Sequence, residues 1–292
     1  MFGGSMVAVV TPMTADGEID FHAWERLLQF HAQEGTDALV VGGTTGESPT
    51  ITTGELGELV RRALGVLRGR MPIIVGAGTN STARTAERAR ELSSAGVDGL
   101  LVVTPYYNKP TQEGLYQHFR AVAEAASVPV IAYNVPARTG IDLLPETVMR
   151  LARIPGMAGL KEATGDVERG RKLVAGCPST FEILSGDDAT AHELVAVGAR
   201  GVISVTANVA PRLMHELCAA AAKGEAARVA ALDGRLRELH RVLFVESSPI
   251  PTKWALAEMG LIGPGIRLPL TPLASRYHEE VRAVLRKAEV LN

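Results

Sequence analysis

Residues 129–162 read PVIAYNVPARTGIDLLPETVMRLARIPGMAGLKE. Two short apolar runs, PVIAYN from Pro129 and MAGLKE from Met157, bracket a segment in which Pro145 stands at a first helical turn. Neither run alternates apolar with polar residues, as a half-exposed strand would. Continuous runs fit parallel strands covered on both faces. Proline suits the start of a helix because the N–H it lacks is unpaired there anyway. The stretch reads strand, helix, strand.

Six further runs of the same kind flank it: MVAVV from Met6, ALVVG from Ala38, PIIVGAG from Pro72, LLVVTP from Leu100, FEILSG from Phe181 and GVISV from Gly201. Helical patterns lie between them. Asp20 is a predicted N-cap for a helix whose Phe21, Trp24, Leu27 and Leu28 share one face before Gly35 stops it. After Thr53, the residues Leu56, Leu59, Val60, Ala63, Leu64 and Leu67 keep the helical period. Thr111 opens another helix, Asp187 or Asp188 is expected to cap the one before His192, and residues 211–223 form the eighth. Eight alternating units predict a closed (β/α)8 TIM barrel more than an open doubly wound sheet. The rest is helical in pattern, so residues 1–224 are expected to form the barrel carrying the active site and 225–292 a small C-terminal helical region.

Composition narrows the function. Of 292 residues, 46% are hydrophobic, and 30 Lys+Arg against 32 Asp+Glu leave a net charge of -2. No basic footprint for nucleic acid or polybasic block for a membrane surface is present. The N-terminus lacks a signal-peptide pattern, and no apolar run approaches the roughly 18 residues of a membrane span. Two cysteines, Cys177 and Cys218, make neither a disulfide framework nor a zinc pattern. A cytoplasmic location with no nucleic-acid or membrane partner is expected.

Barrel enzymes carry their chemistry at the C-terminal ends of the strands. The second run ends in Gly42-Gly43-Thr44-Thr45-Gly46-Glu47-Ser48, where free N–H groups and hydroxyls could hold a carboxylate. An ordinary turn with capping threonines would use the same residues. Three of the five tyrosines, Tyr106, Tyr107 and Tyr133, sit at the fourth and fifth strand ends, where a phenol could relay protons or only cap the mouth. Lys161 ends the sixth run. With an ordinary pKa of about 10.4, roughly one lysine in 2,500 is neutral at pH 7, and desolvation would raise that fraction toward a Schiff-base nucleophile. A salt bridge to a nearby carboxylate is the alternative. Arg138 suits a grip on a substrate carboxylate, although a solvated surface arginine would look the same.

Other patterns are incomplete. Gly76-Ala77-Gly78-Thr79-Asn80-Ser81 lacks the last glycine of a dinucleotide fingerprint, and His192-Glu193 and His215-Glu216 lack the second histidine of a zinc helix. No metal is expected. The loops after the seventh and eighth runs offer two acids and one arginine, which disfavours a phosphorylated substrate.

Taken together, Gly43-Thr44-Thr45-Gly46-Glu47-Ser48, Tyr106-Tyr107-Asn108, Tyr133-Asn134-Val135-Pro136, Arg138-Thr139, Lys161-Glu162-Ala163-Thr164-Gly165, Ser185-Gly186-Asp187-Asp188 and Ser204-Val205-Thr206-Ala207-Asn208 resemble the bacterial dihydrodipicolinate synthases. The resemblance runs through Pro249-Ile250-Pro251-Thr252-Lys253-Trp254 and so covers essentially the whole chain. It implies a lyase that condenses pyruvate with L-aspartate 4-semialdehyde in lysine (diaminopimelate) biosynthesis. It implies that Lys161 forms the Schiff base and that Tyr133, Thr44 and Tyr107 relay protons. Thr45 with Thr44 would hold the pyruvate carboxylate, Gly186 and Ile203 would line that end, and Arg138 would bind the semialdehyde carboxylate. It also implies that Tyr107 reaches a neighbouring subunit's site in a homotetramer, a dimer of dimers. No cofactor is implied, because the lysine supplies the electron sink.

Lysine-sensitive members of that family bind lysine through positions matching Ser48, Asn80 and Tyr106, all retained here. They have histidines at the positions of Thr53 and Leu56 and a glutamate at that of Arg84. Two like charges about 4 Å apart at an effective dielectric constant of 20 repel by roughly 4 kcal/mol. Weak or absent lysine feedback is therefore expected. Family members often have Asn at the position of Ser248. The alternatives are a 2-keto-3-deoxy sugar-acid aldolase or lyase of the same superfamily, a glycosidase, which needs paired acids, and a non-catalytic binding barrel. Arg138 favours the synthase over the sugar-acid enzymes.

Overall fold

In the computed structural model, which describes residues 2–291, eight parallel strands close into a barrel in sequence order. They are β1 (Gly4–Ala8), β2 (Ala38–Val41), β3 (Ile73–Gly76), β4 (Gly99–Val103), β5 (Val130–Asn134), β6 (Met157–Glu162), β7 (Glu182–Ser185) and β8 (Gly201–Ser204). The helices are α1 (Phe21–Gln33), α2 (Thr53–Leu67), α3 (Thr82–Ser94), α4 (Gln112–Ala125), α5 (Pro136–Thr139), α6 (Pro145–Leu151), α7 (Val167–Gly176), α8 (Ala191–Ala196), α9 (Pro211–Ala222), α10 (Ala226–Val242), α11 (Ile250–Glu258) and α12 (His278–Lys287). Closure brings Gly4 opposite Gly201, where a Cβ on Gly201 would lie 2.0 Å from the Gly4 carbonyl oxygen. Only glycine permits that approach.

The continuous apolar strands serve two cores. Met6, Ala8, Val40, Ile74, Leu101, Ile131, Leu184 and Ile203 fill the barrel, while the intervening Val7, Leu39, Val75, Leu100 and Val202 pack against the helices. This explains why alternation is invisible in the sequence: both faces are buried. The outer core continues through Leu236, Leu239, Leu256 and Leu285, so α10 to α12 pack as part of the same apolar layer.

Local signals place the helix ends. The Asp20 carboxylate accepts from the N–H groups of His22 and Ala23, and Thr111 caps α4. At α2 the cap is Thr52, in a reciprocal box with Glu55. The expected Asp187 or Asp188 cap on α8 is a correction. Thr190 holds the N-cap position, with no side-chain cap. Asp187 is used one turn earlier, accepting from Thr190 N–H at 3.0 Å, and Asp188 is drawn into the barrel mouth by the N–H groups of Val205 and Thr206, each at 2.9 Å.

Candidate active site

Strand register sets the central pair. Tyr133 of β5 and Lys161 of β6 are lateral partners, and Lys161 Nζ lies 4.3 Å from the Tyr133 ring centroid. Both are buried at the mouth end of the barrel. Gly186, just beyond β7, makes room for the amine: a Cβ there would stand 2.9 Å from Lys161 Cε. Ile203 on β8 lies in the same inner core as Tyr133.

Burial lowers the Lys161 pKa from 10.5 to about 8, with the Asp188 carboxylate opposing the fall and Arg138 adding to it. At pKa 8 roughly one amine in ten is neutral at pH 7. The alternative of a Lys161 salt bridge is not realised among the described residues. The adjacent Glu162 is occupied elsewhere, accepting from Arg169 Nε at 3.0 Å, Asn134 Nδ2 at 3.2 Å and the Thr164 N–H at 2.9 Å. Burial raises the Tyr133 pKa, while Arg138 and the nearby Thr44 hydroxyl pull it down. A desolvated amine beside a phenol and a hydroxyl can add to a ketone and move the protons that imine formation requires.

The β2 turn brings Thr44 and Thr45 to this end. It folds through hydrogen bonds from the N–H groups of Gly46 and Ser48 to the Gly43 carbonyl and from the Glu47 N–H to the Thr44 carbonyl. Among the described residues the N–H groups of Thr44 and Thr45 have no partner, leaving donors for a carboxylate. Glu47 turns through the left-handed region at φ 59° and is held from the far end of the chain. Its carboxylate accepts from Lys253 Nζ at 2.5 Å and from the Arg267 N–H at 3.1 Å, and both side chains of the Glu47–Lys253 pair are buried. The chain also returns at Ser248, whose carbonyl accepts from Arg138 at 3.1 Å.

At the barrel mouth, a cavity of about 410 Å³ is lined by Thr44, Ser48, Tyr106, Arg138 and also Arg88. Asn80 and Arg84 are not in its wall, and the Arg84 side chain is exposed. Tyr107 stands apart: it is 88% exposed, with φ 75°. The single chain thus gathers Lys161, Tyr133, Thr44, Thr45, Gly186 and Ile203 at one end of the barrel, places Arg138 at the mouth, and leaves Tyr107 outside. Sequence reasoning missed Asp188 as the charge acting on Lys161, the Glu47–Lys253 pair, and Arg88. The pair spans 206 positions, so no local spacing announces it. Among the described residues no three His, Cys, Asp or Glu side chains converge as a metal site, and no helix is long and apolar enough to cross a membrane.

Comparison with known proteins gives consistent matches. A family model described as the dihydrodipicolinate synthetase family matches residues 1–288. The chain is 55% identical to the 4-hydroxy-tetrahydrodipicolinate synthase of Ectopseudomonas mendocina and 54% identical to that of Pseudomonas aeruginosa, in each case over 291 residues and 100% of both chains. Its structure is similar to that of the chloride-inhibited dihydrodipicolinate synthase from Acinetobacter baumannii complexed with pyruvate, with a TM-score of 0.98 and 49% identity over 100% of both chains.

Proposed function

This chain belongs to the dihydrodipicolinate synthetase family, and from that premise we propose that it works as a 4-hydroxy-tetrahydrodipicolinate synthase, a lyase of lysine (diaminopimelate) biosynthesis. It condenses pyruvate with L-aspartate 4-semialdehyde. The observation that carries this reading is the buried, unpaired Lys161 amine against Tyr133, with its pKa lowered to about 8.

The neutral Nζ attacks the pyruvate ketone carbon. The oxygen leaves as water, with Tyr133 and Thr44 passing protons, and an iminium remains. Loss of a methyl proton turns the iminium into an enamine, whose carbon attacks the semialdehyde carbonyl and forms the new carbon–carbon bond. The semialdehyde's amine then attacks the iminium carbon and releases Lys161. Thr45 and Thr44 hold the pyruvate carboxylate beside Gly186 and Ile203, and Arg138 takes the carboxylate of the semialdehyde. The free N–H groups of the β2 turn and the position of Arg138 at the mouth support these roles.

In the same reading the enzyme is cytoplasmic and assembles as a homotetramer, a dimer of dimers, in which Tyr107 completes a neighbour's proton relay. Support comes from an 88% exposed aromatic side chain on a left-handed backbone at the rim of the mouth. Residues 1–224 carry the chemistry, while 225–292 brace it through Ser248 and Lys253. Borohydride reduction with pyruvate, followed by peptide mapping, tests the nucleophile: a stable adduct on Lys161 is expected, and none in Lys161→Ala. Condensation with the semialdehyde, run beside cleavage of a 2-keto-3-deoxy sugar acid, tests the substrate. Faster cleavage of the sugar acid would overturn the synthase reading.

A further inference from the structure

Directly behind the reacting pair lies a buried polar cluster that the chemistry above leaves unused. Strand register pairs Tyr133 with Lys161 and, one step further along, Asn134 with Glu162. Successive strand side chains alternate, so Lys161 enters the barrel while Glu162 points toward the helices. The Glu162 side chain is 1% exposed, and Asn134 is fully buried. Asn134 Nδ2 donates to Glu162 at 3.2 Å and to Asp142 at 2.8 Å, and its Oδ1 accepts from the Leu143 N–H at 3.0 Å.

Arg169, in the first turn of α7, completes the cluster. The Asp166 cap accepts its backbone N–H at 3.0 Å. Its guanidinium donates to the Asp142 carboxylate at 3.0 and 2.9 Å, to the Leu143 carbonyl at 2.5 Å and, through Nε, to Glu162 at 3.0 Å. One side chain thereby joins β6, the segment after β5 and α7. The backbone carries the link inward: the Glu162 carbonyl accepts from the Gly186 N–H at 2.7 Å, and the Asn134 carbonyl from the Ala163 N–H at 3.0 Å. From the loop before α8, Asp187 comes near Gly165, but its carboxylate is engaged by Thr190. Inside the barrel, the charges acting on Lys161 are Asp188 and Arg138. Among the described residues Arg169 is the one cation bonded to Glu162. Without it a buried carboxylate would stand uncompensated one residue from the amine.

We propose that Arg169 is a positioning residue for the Lys161 reaction: it binds the ends of β5 and β6 together behind the reacting pair and balances the Glu162 charge beside the amine. The inference rests on Lys161 being the Schiff-base nucleophile and adds a residue that never touches substrate. Two separable effects follow. Loosened strand ends shift the amine against Tyr133, and a small misplacement of a reacting group costs rate. Pyruvate affinity is spared, because Thr44 and Thr45 lie on the β2 turn. A bare Glu162 carboxylate favours the ammonium form of Lys161, so imine formation needs a higher pH.

Stopped-flow imine formation with pyruvate, followed against pH and pyruvate concentration well below each variant's melting temperature, tests both effects. In Arg169→Met the plateau rate falls about tenfold or more while half-saturating pyruvate stays within about threefold. Its pH midpoint rises by about half to one unit, less than the one to three units that a directly adjacent charge gives. Adding Glu162→Gln to Arg169→Met returns the midpoint to that of wild type without restoring the rate. Arg169→Lys keeps the charge with fewer donors, so its midpoint stays put and its rate falls between; it serves alone if the methionine variant does not fold. Arg171→Met, on the same helix but exposed and paired only with Glu168, behaves as wild type. A wild-type rate and midpoint in Arg169→Met, or a wild-type rate in Arg169→Lys should that variant stand alone, overturns the positioning role and leaves the Lys161 reading intact. No borohydride-trapped pyruvate adduct on Lys161 of the wild type overturns both.

Discussion

At the level of single residues, Lys161 sets activity against stability. Its pKa falls from 10.5 in the unfolded chain to about 8 in the folded one. The folded state therefore disfavours the proton, so stability rises with pH between about 8 and 10.5 and carries the full penalty below 8. A shift of that size corresponds to about 3 kcal/mol, an upper value. Lys161→Met should accordingly abolish adduct formation yet raise the melting temperature at pH 7, as scanning calorimetry would read; a lower melting temperature would show that the amine is stabilised in a way the structure does not reveal. The same amine governs rate. Imine formation with pyruvate, followed in stopped flow, should increase with pH through a single ionisation near 8 as the neutral form accumulates. Asp188→Asn removes the carboxylate that favours the ammonium, so its rate profile should shift to lower pH. The amide oxygen can still accept from the N–H groups of Val205 and Thr206, which keeps the loop in place. An unmoved profile would show that the Asp188 charge does not reach the amine.

At the level of elements, the β2 turn depends on chain that lies far away. Glu47 is buried, left-handed in φ and engaged by Lys253 and by the backbone of Arg267, while the Arg267 side chain ties down Glu55 at the start of α2. Removing one member of a buried ion pair strands the other and typically costs about 3–5 kcal/mol. Lys253→Met and Glu47→Gln should each destabilise the protein to about that degree in urea unfolding, and the double variant by less than their sum. Additive losses would mean that the two side chains act independently. The loosened turn should also raise the KM for pyruvate more than it lowers kcat, because Thr44 and Thr45 lie on it. This is also where legibility in the sequence ends. All eight strands were readable because each is a compact Val/Ile/Leu run between turn residues, and Lys161 stood out as a charge at the end of such a run. Asp187 and Asp188 misled because two acids before a helix look like caps, whereas one completes its own turn and the other serves the N–H groups of a different loop. Lys253 and Arg88 gave no local signal: each gains its meaning from a partner or a cavity that only the closed barrel creates.

At the level of the whole molecule, regulation depends on the charge around the mouth. The family resemblance points to a lysine-binding position using Ser48, Asn80 and Tyr106, and all three are present. Their setting differs from that of a site for a cationic amino acid. Ser48 and Tyr106 line a cavity with Arg88 and Arg138 and no acid, Leu56 is buried in the outer core, and Arg84 is turned to solvent. Lysine brings one carboxylate and two ammonium groups. Its carboxylate could meet a guanidinium, but both ammonium groups would face cations with no compensating charge, and unpaired charge in a partly desolvated cavity outweighs one ion pair. Arg84 is exposed in the single chain, whereas Arg88 is half-buried in the cavity wall and adds a second cation there. Lysine should therefore bind poorly, and the condensation rate should change by less than about twofold across millimolar L-lysine. Arg88→Leu combined with Arg84→Glu should restore measurable inhibition, since it removes the half-buried cation and returns a carboxylate to the rim. Strong inhibition of the unaltered enzyme would show that lysine finds an acidic partner elsewhere, which in an assembled enzyme means a neighbouring subunit, and the charge of this cavity would then not decide the response.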